Sequence, residues 1–427
     1  MIKKREISIT GFTIFALFFG AGNLILPPFL GMNSGAQWWF VFFGFILTAV
    51  FIPILGVFAH AKVQGTMYDL ASKVAPWFSS LYCIIMYLIA VTLPAPRTAS
   101  VAHEMAIQPF FDSSPLLTSS VYFLLIFIFV MNRSKLLDLI GKFLTPIIVI
   151  ILLAIILLAI TSNPETMISN VYEVPFVSGI FEGYQTFDAI GGVLIGAVIV
   201  ISLGNRGVKS YDDKKSLITK AALIAGFGLI LIYGGLIFSG ATLSTLLPVN
   251  GTRTEVLTSL SSQTLGAIGT SFLSILVALA CFTTAVGIVT GTSDYIKEMF
   301  KSSQKAYVAT AFISCVLGVL IGHFEVSFII KAAIPAIMFI YPITIVLILL
   351  NVVPKRLASH NVFKGVVMAT LAFSIPDFLW SLNLGHLLDS IIEWIPFSSQ
   401  SLGWVLPAFI VFVLLNVYNQ RMETSNS

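Results

Sequence analysis

The sequence predicts an all-α polytopic membrane protein of about twelve transmembrane helices. Of its 427 residues, 57% are hydrophobic and only 10% are charged, against about 25% charged in a soluble globular chain. The apolar residues gather in runs of about 20, the length that crosses a bilayer as a helix, rather than in amphipathic stripes. The basic residues alternate between the two sides when those runs are threaded through a membrane. A formal net charge of +4 is too small to suggest a nucleic-acid partner, and no basic tract or stacking motif adds to it. Cys83, Cys281 and Cys315 all fall inside apolar runs, so neither a disulfide framework nor a zinc site is indicated.

Span 1 (7–30) follows Lys3, Lys4 and Arg5. It is too long for a signal peptide and runs into Pro27-Pro28 rather than a small-residue cleavage site. Spans 2 to 5 cover 38–60, 76–97, 116–132 and 141–161, and spans 6 to 10 cover 181–203, 217–241, 268–293, 307–322 and 327–350. Spans 11 and 12 are 362–382 and 402–419. With the N-terminus in the cytoplasm, all but Arg97, Arg253 and Lys331 of the 23 Lys and Arg residues fall on the inner side. A missed span would scramble that alternation, so it supports a multi-pass cell-membrane protein with both termini cytoplasmic. Trp38, Trp39, Trp380 and Trp404 then lie near the outer interface and Trp77 near the inner one.

Two spans should not be continuous helices. Span 1 carries Gly20-Ala21-Gly22-Asn23 at mid-membrane and Pro27-Pro28 a turn later, which weakens helix and removes two donors. Span 6 carries Glu182-Gly183-Tyr184-Gln185-Thr186-Phe187-Asp188, with Gly191-Gly192 just beyond. Close helix packing explains either stretch taken alone. Together they lead two consecutive groups of five spans, and because five is odd the second group enters from the opposite side. That is an inverted repeat with a broken helix at the head of each half, a pointer to a midplane transport site. The expected division is 1–161, 162–350 and a peripheral 351–427. Unwound helices expose N–H groups that favour a carboxylate and carbonyls that favour a cation, so a zwitterionic amino acid fits. Candidate substrate-binding residues are Phe18, Gly20, Ala21, Gly22, Asn23, Gly183, Tyr184, Gln185, Thr186 and Asp188.

The run Phe15-Ala16-Leu17-Phe18-Phe19-Gly20-Ala21-Gly22-Asn23-Leu24-Ile25-Leu26-Pro27-Pro28 closely resembles the BrnQ-type branched-chain amino acid:cation symporters, the system II carriers. So do Leu93-Pro94-Ala95-Pro96-Arg97-Thr98-Ala99, Ala102-His103-Glu104-Met105, Gly183 to Ala189, and Cys281-Phe282-Thr283-Thr284-Ala285-Val286-Gly287. The similarity runs over essentially the whole chain and departs from the family pattern at Pro94-Ala95-Pro96, where one proline is expected before the arginine. The resemblance implies uptake of leucine, isoleucine and valine driven by sodium, on the leucine-transporter-like fold of the amino acid–polyamine–organocation superfamily. The alternative is a proton-coupled or differently specific neutral amino acid carrier.

Spacing offers a cation site: Ala280, Thr283 and Thr284 share one helical face and supply hard oxygen ligands. The resemblance adds carbonyls of Ala16 and Phe19 from the first half of span 1. The competing reading has both hydroxyls bonding back to carbonyls one turn earlier. Asp188 lies at apolar depth, where a carboxylate serves either coupling or bracing. Arg97 is read at the outer end of span 3, either snorkelling to headgroups or gating with Glu104 or Glu182. Lys331 and Asp377 are placed near the same face, and Asn250-Gly251-Thr252 reads as a turn in an external loop. A membrane enzyme would need a nucleophile–base or metal constellation, and a channel a filter repeat or charged ring; neither can be assembled. No nucleotide-binding motif occurs, so an ion gradient is the expected energy source. No cofactor beyond the coupling ion is implied, and no partner beyond substrate and membrane lipid.

Overall fold

The computed structural model describes residues 4–20, 23–132, 135–162, 166–205, 207–208, 210–384 and 394–425. No strand occurs among them. Ten helical stretches are long and apolar enough to cross a membrane, and the pair Pro175–Tyr184 and Asp188–Gly204, bent by 43°, makes an eleventh. The expected span 1 is not counted among these as a span of its own: α1 (Lys4–Phe18) is separated by a break from α2 (Leu26–Ser34), which belongs to the counted stretch Leu26–Val63. Both prolines of Pro27-Pro28 lie in the first turn of α2. They start the second half-helix rather than break it, since N–H groups there have no intrahelical partner.

Span 2 comprises α3 (Trp38–Ile46), a π-turn over Leu47–Phe51 and α4 (Ile52–Val63). A short α5 (Met67–Ala71), closed by a Thr66–Asp69 capping box, leads to α6 (Pro76–Thr92). Span 3 does not stop near residue 97: Pro94 opens α7 (Pro94–Ala102), which a π-turn carries on to Ile107. Then follow α8 (Pro115–Asn132) and α9 (Lys135–Thr161). Span 6 begins six residues earlier than expected, with α10 (Pro175–Tyr184) before the break and α11 (Asp188–Asn205) after it. α12 (Tyr211–Thr242) is span 7. The connection expected before span 8 is itself helical. α13 (Arg253–Met299) contains an arm that turns at Gly266, whose φ of 70° glycine adopts without strain. Thr252 caps that arm from the Asn250-Gly251 turn. α14 (Gln304–Gly322), α15 (Val326–Val352), α16 (His360–Ser381) and α17 (Val405–Ser425) complete the chain.

Packing follows the two halves. α1 and α2 lie on α12, as α10 and α11 lie on α3 and α4. α7 packs on α13 and α8 on α14; α9 meets α12 and α13, as α15 meets α4 and α7. Exchanging span n with span n+5 leaves this pattern unchanged, as an inverted repeat of five requires. α16 covers α15 and α17 covers α16, so the last two spans are peripheral. Glycines set the closest approaches. A methyl on Gly31 would stand 1.9 Å from the Ile237 carbonyl, one on Gly240 2.1 Å from Pro28 O, and one on Gly192 2.6 Å from Pro53 O. Trp404, 7% exposed, is buried in an apolar cluster rather than turned outward.

Candidate functional site

Both expected interruptions are present. In span 1 the helical ladder ends at Phe19 N, bonded to Phe15 O at 2.8 Å; Gly20 N then turns to Phe18 O at 2.7 Å and Asn23 N to Gly20 O at 2.9 Å. Ala21 and Gly22 lie outside the described residues, as do Lys3, Arg133, Arg206 and Lys209 of the charge pattern. In span 6 the reversal is at Phe187, a bulky residue with φ of 60°, a conformation that costs about 1–3 kcal/mol and persists only when its surroundings impose it. Thr186 braces it. Its hydroxyl donates to Gly183 O at 2.8 Å and accepts from Asp188 N at 3.1 Å, capping the start of α11.

The two breaks meet. Asn23 Nδ2 donates to Asp188 Oδ1 at 2.9 Å. Arg97 joins them from a third span: Nη1 donates to the Gln185 carbonyl at 2.6 Å and Nη2 to Asn23 Oδ1 at 3.3 Å. Its guanidinium also stands 5.4 Å from the Phe187 ring centroid. Arg97 is therefore not an interfacial residue reaching for headgroups; it is 3% exposed. Because α7 restarts at Pro94 and extends to 102, position 97 lies in the interior of the bundle. Neither Glu104 nor Glu182 is its partner. Glu182 instead makes a two-pronged ion pair with Arg253, Nε to Oε1 at 2.5 Å and Nη2 to Oε2 at 3.0 Å. Arg253 also sits 4.5 Å over the Phe29 ring of α2. Glu104 accepts from the Thr254 hydroxyl and, at 2.8 Å, from Val326 N at the head of α15. Two carboxylates thus hold the arm of α13 against spans 1, 3, 6 and 10. Asp377, expected near the surface, is buried at 7% exposure.

Among the described residues, four buried polar atoms around the breaks have no hydrogen-bond partner: Asp188 Oδ2, Gln185 Oε1, Tyr233 OH and Tyr341 OH. The Tyr233 hydroxyl lies beside Asn23 and Asp188 without the geometry of a bond to either, and Tyr341 stands near Asp188 and Thr186. Buried polar groups are nearly always satisfied, so such a cluster marks a place where a polar ligand belongs. Phe18 supplies an apolar wall, its ring 3.8 Å from the position a Gly191 methyl would take, and the Tyr184 and Tyr341 rings meet at a tilt of 32° with centroids 4.5 Å apart. Tyr233 and Tyr341 were not legible as site residues, since a tyrosine inside an apolar run carries no directional signal.

The threonine face of span 8 takes the alternative expected of it: Thr283 and Thr284 hydroxyls donate to Ala280 O at 3.0 and 2.9 Å. Each keeps lone pairs free to accept or to ligate. Ala280 packs against an apolar cluster that also contains its own helix neighbours Val277 and Cys281. On span 1, Ala16 is half-buried, and Phe19 is 5% exposed and stacked on Phe15 at 4.9 Å.

Residues 3–422 match the family model described as "Branched-chain amino acid transport protein". The chain is 33% identical to the branched-chain amino acid transport system 2 carrier protein of Pseudomonas aeruginosa, covering 99% of this chain and 98% of that protein. It is 33% identical to the branched-chain amino acid permease BraB of Bacillus subtilis, with 97% and 95% covered. The permease BrnQ of Salmonella typhimurium is 31% identical, with 100% and 99% covered. Among solved structures, Mhp1, a nucleobase-cation-symport-1 family transporter in a closed conformation, superposes with a TM-score of 0.62 at 13% identity, covering 99% of this chain and 93% of that one. A manganese transporter from Eremococcus coleocola gives 0.52 at 13% identity, with 97% and 96% covered. These likenesses establish the leucine-transporter-like fold, and the sequence relatives are named as carriers and permeases rather than enzymes. The chain belongs to the branched-chain amino acid transport protein family.

Proposed function

We propose that the protein imports leucine, isoleucine and valine together with sodium, by alternating access around the junction of spans 1 and 6. The observation that carries this reading is the meeting of two unwound stretches at Arg97, with unpartnered polar atoms beside it. α2 and α11 both begin there, and helix N-termini favour a carboxylate. Arg97 adds a positive charge on the same side. Asp188 Oδ2, with Tyr233 OH beside it, faces the place for an ammonium group. Phe18 and Phe187, both buried beside the breaks, give the site an apolar lining suited to a branched aliphatic side chain.

Sodium would bind between span 1 and span 8, through Ala16 and Phe19 carbonyls, Ala280 O and the two threonine hydroxyls. The hard oxygen donors and their free lone pairs support this assignment. The unpartnered Asp188 oxygen supports a second reading, in which a proton is the coupling ion. Residues 1–161 and 162–350 form the two repeats, and both termini face the cytoplasm; the pairwise packing and the distribution of basic residues support these. Glu104 and Glu182 gate the outer side with Thr254 and Arg253. The test is uptake of radiolabelled leucine into proteoliposomes. An inward sodium gradient should give saturable accumulation that excess isoleucine or valine suppresses. Accumulation driven by a pH gradient without sodium would transfer the coupling to protons, and flux that never exceeds equilibration would overturn the transporter reading.

A further inference from the structure

At the opposite end from the Glu182–Arg253 pair, four lysines converge from four elements. Lys62 in the last turn of α4 reaches the final carbonyls of α15, Val352 O at 3.3 Å and Val353 O. Lys73, in the turn before α6, donates to Asn351 Oδ1 at 2.8 Å and stands 4.8 Å over the Phe363 ring. Lys215 in α12 and Lys355 after α15 are exposed beside them. Two of these ammonium groups are held in place: main-chain carbonyls at the end of α15 fix Lys62, as helix C-termini attract cations, and the Asn351 side-chain oxygen fixes Lys73. Tyr211 OH bonded to Lys62 O at 2.9 Å ties α12 to α4.

The charges bearing on Lys62 are Lys215 and Lys355, and those bearing on Lys73 are Lys62 and Lys355. Among the described residues no carboxylate bonds to Lys62 or Lys73, and Asp212 lies beside Lys215 alone. Asp69, the nearest acid along the chain, is occupied by Thr66 N and Oγ1 at 2.7 and 2.8 Å. Asp212 and Asp213 are exposed in the first turn of α12. Lys73 carries the consequence: burial first, then the neighbouring lysines, lowers its pKa from the ordinary lysine value. Four like charges gather at the ends of membrane-crossing helices, two of them held by hydrogen bonds, and basic pockets between spans at this depth suit lipid phosphates.

We propose that Lys62, Lys73, Lys215 and Lys355 form a seat for the phosphodiester of an anionic phospholipid. The bound headgroup would bridge spans 2 and 7, which carry Lys62 and Lys215, to the ends of spans 3 and 10, next to Lys73 and Lys355. It holds this face of the molecule together, so membrane charge biases which side opens.

The full-length protein in neutral detergent tests this by its melting midpoint, with phosphatidylglycerol or phosphatidylcholine added. Phosphatidylglycerol should raise the midpoint well above the phosphatidylcholine value. The variant Lys215→Gln with Lys355→Gln leaves the buried anchors intact. It should weaken that lipid's effect about 30-fold in concentration, the contribution of two lysines at an anionic surface. Lys301→Gln with Lys305→Gln, the same charge change elsewhere, should behave as the parent. An equal midpoint shift in both variants would overturn the seat, and inorganic phosphate reproducing the shift would overturn a lipid as its occupant. Melting needs no transport, so the result stands apart from which solute the carrier moves.

Discussion

Arg97 is a consequential side chain, because from a third span it bonds to both breaks. It donates to Gln185 O and to Asn23 Oδ1, and at 3% exposure water cannot take over either partner. A hydrogen bond to a charged group contributes about 1.5–3 kcal/mol. Arg97→Ala strands both acceptors and should lower stability by about 3–6 kcal/mol. Arg97→Lys keeps the charge, but one ammonium cannot span two acceptors presented to a planar fork, so it should lose about half of that, roughly 1.5–3 kcal/mol. At about 1.4 kcal/mol per tenfold, the lysine variant should retain about 1–10% of parental leucine uptake and the alanine variant under about 1%. Denaturant titration of the purified variants gives the first quantity and proteoliposome uptake the second. An alanine variant as stable and as active as the parent would show that Arg97 does not join the breaks.

Other variants probe separate parts. A double-mutant cycle with Glu182→Gln and Arg253→Gln should return a coupling of about 1–2 kcal/mol. That exceeds a surface pair because the geometry is two-pronged, and is limited because the side chains remain 12% and 18% exposed; a coupling near zero would remove the pair from the outer closure. Thr283→Ala with Thr284→Ala should raise the sodium concentration for half-maximal uptake while Thr283→Ser with Thr284→Ser restores it, and unchanged sodium dependence would place the ion elsewhere. Gly31→Ala, whose methyl would fall 1.9 Å from Ile237 O, should destabilise by about 1–3 kcal/mol. Gly287→Ala meets nothing within 4 Å and should be neutral or slightly stabilising in thermal melts.

Both breaks were legible because glycine, amide and carboxyl groups interrupt otherwise continuous apolar runs, and lipid tolerates such groups only where protein encloses them. Their conjunction could be anticipated from the grouping by fives. What misled was proline. Pro27-Pro28 reads as weakening helix within span 1, yet it stands in the first turn of α2, as Pro94 and Pro175 stand in the first turns of α7 and α10. Ending span 3 at residue 97 put Arg97 at the membrane edge; the helix that restarts at Pro94 and runs on to Ala102 puts it among the breaks. Hydropathy reports depth along one chain and not which side chains meet, so Glu182 could be recognised as an outer carboxylate but not matched to Arg253, seventy-one residues away in sequence. The same limit hid Tyr233 and Tyr341, whose importance lies entirely in what they face.

The glycine contacts restrict how such a molecule can move. Span 1 touches span 7 backbone to backbone at Gly31 and Gly240, and span 6 touches span 2 at Gly192. At Gly183 a methyl would fall 2.1 Å from Thr48 Oγ1, which itself donates to Ile180 O at 2.9 Å. Backbones this close cannot slide past one another without collision, because packed interiors resist even one added carbon. Each broken helix is therefore fastened on both sides of its break to a neighbour, which disfavours independent swinging of a half-helix and favours motion of spans 1, 2, 6 and 7 together. Against spans 3 and 8 the contacts pass instead through side chains, among them Arg97 from span 3 and Arg253 from the arm of α13. Tilting the four-span unit away from span 3 would cost those bonds unless something replaced them. A zwitterion is suited to do so: its carboxylate can take over the Arg97 donors and its ammonium the free oxygen of Asp188. On that reasoning Arg97→Lys should impair translocation more than binding, since one donor still greets the carboxylate while the exchange of partners that releases span 3 is lost. A variant with weakened leucine affinity but unchanged maximal uptake would contradict it.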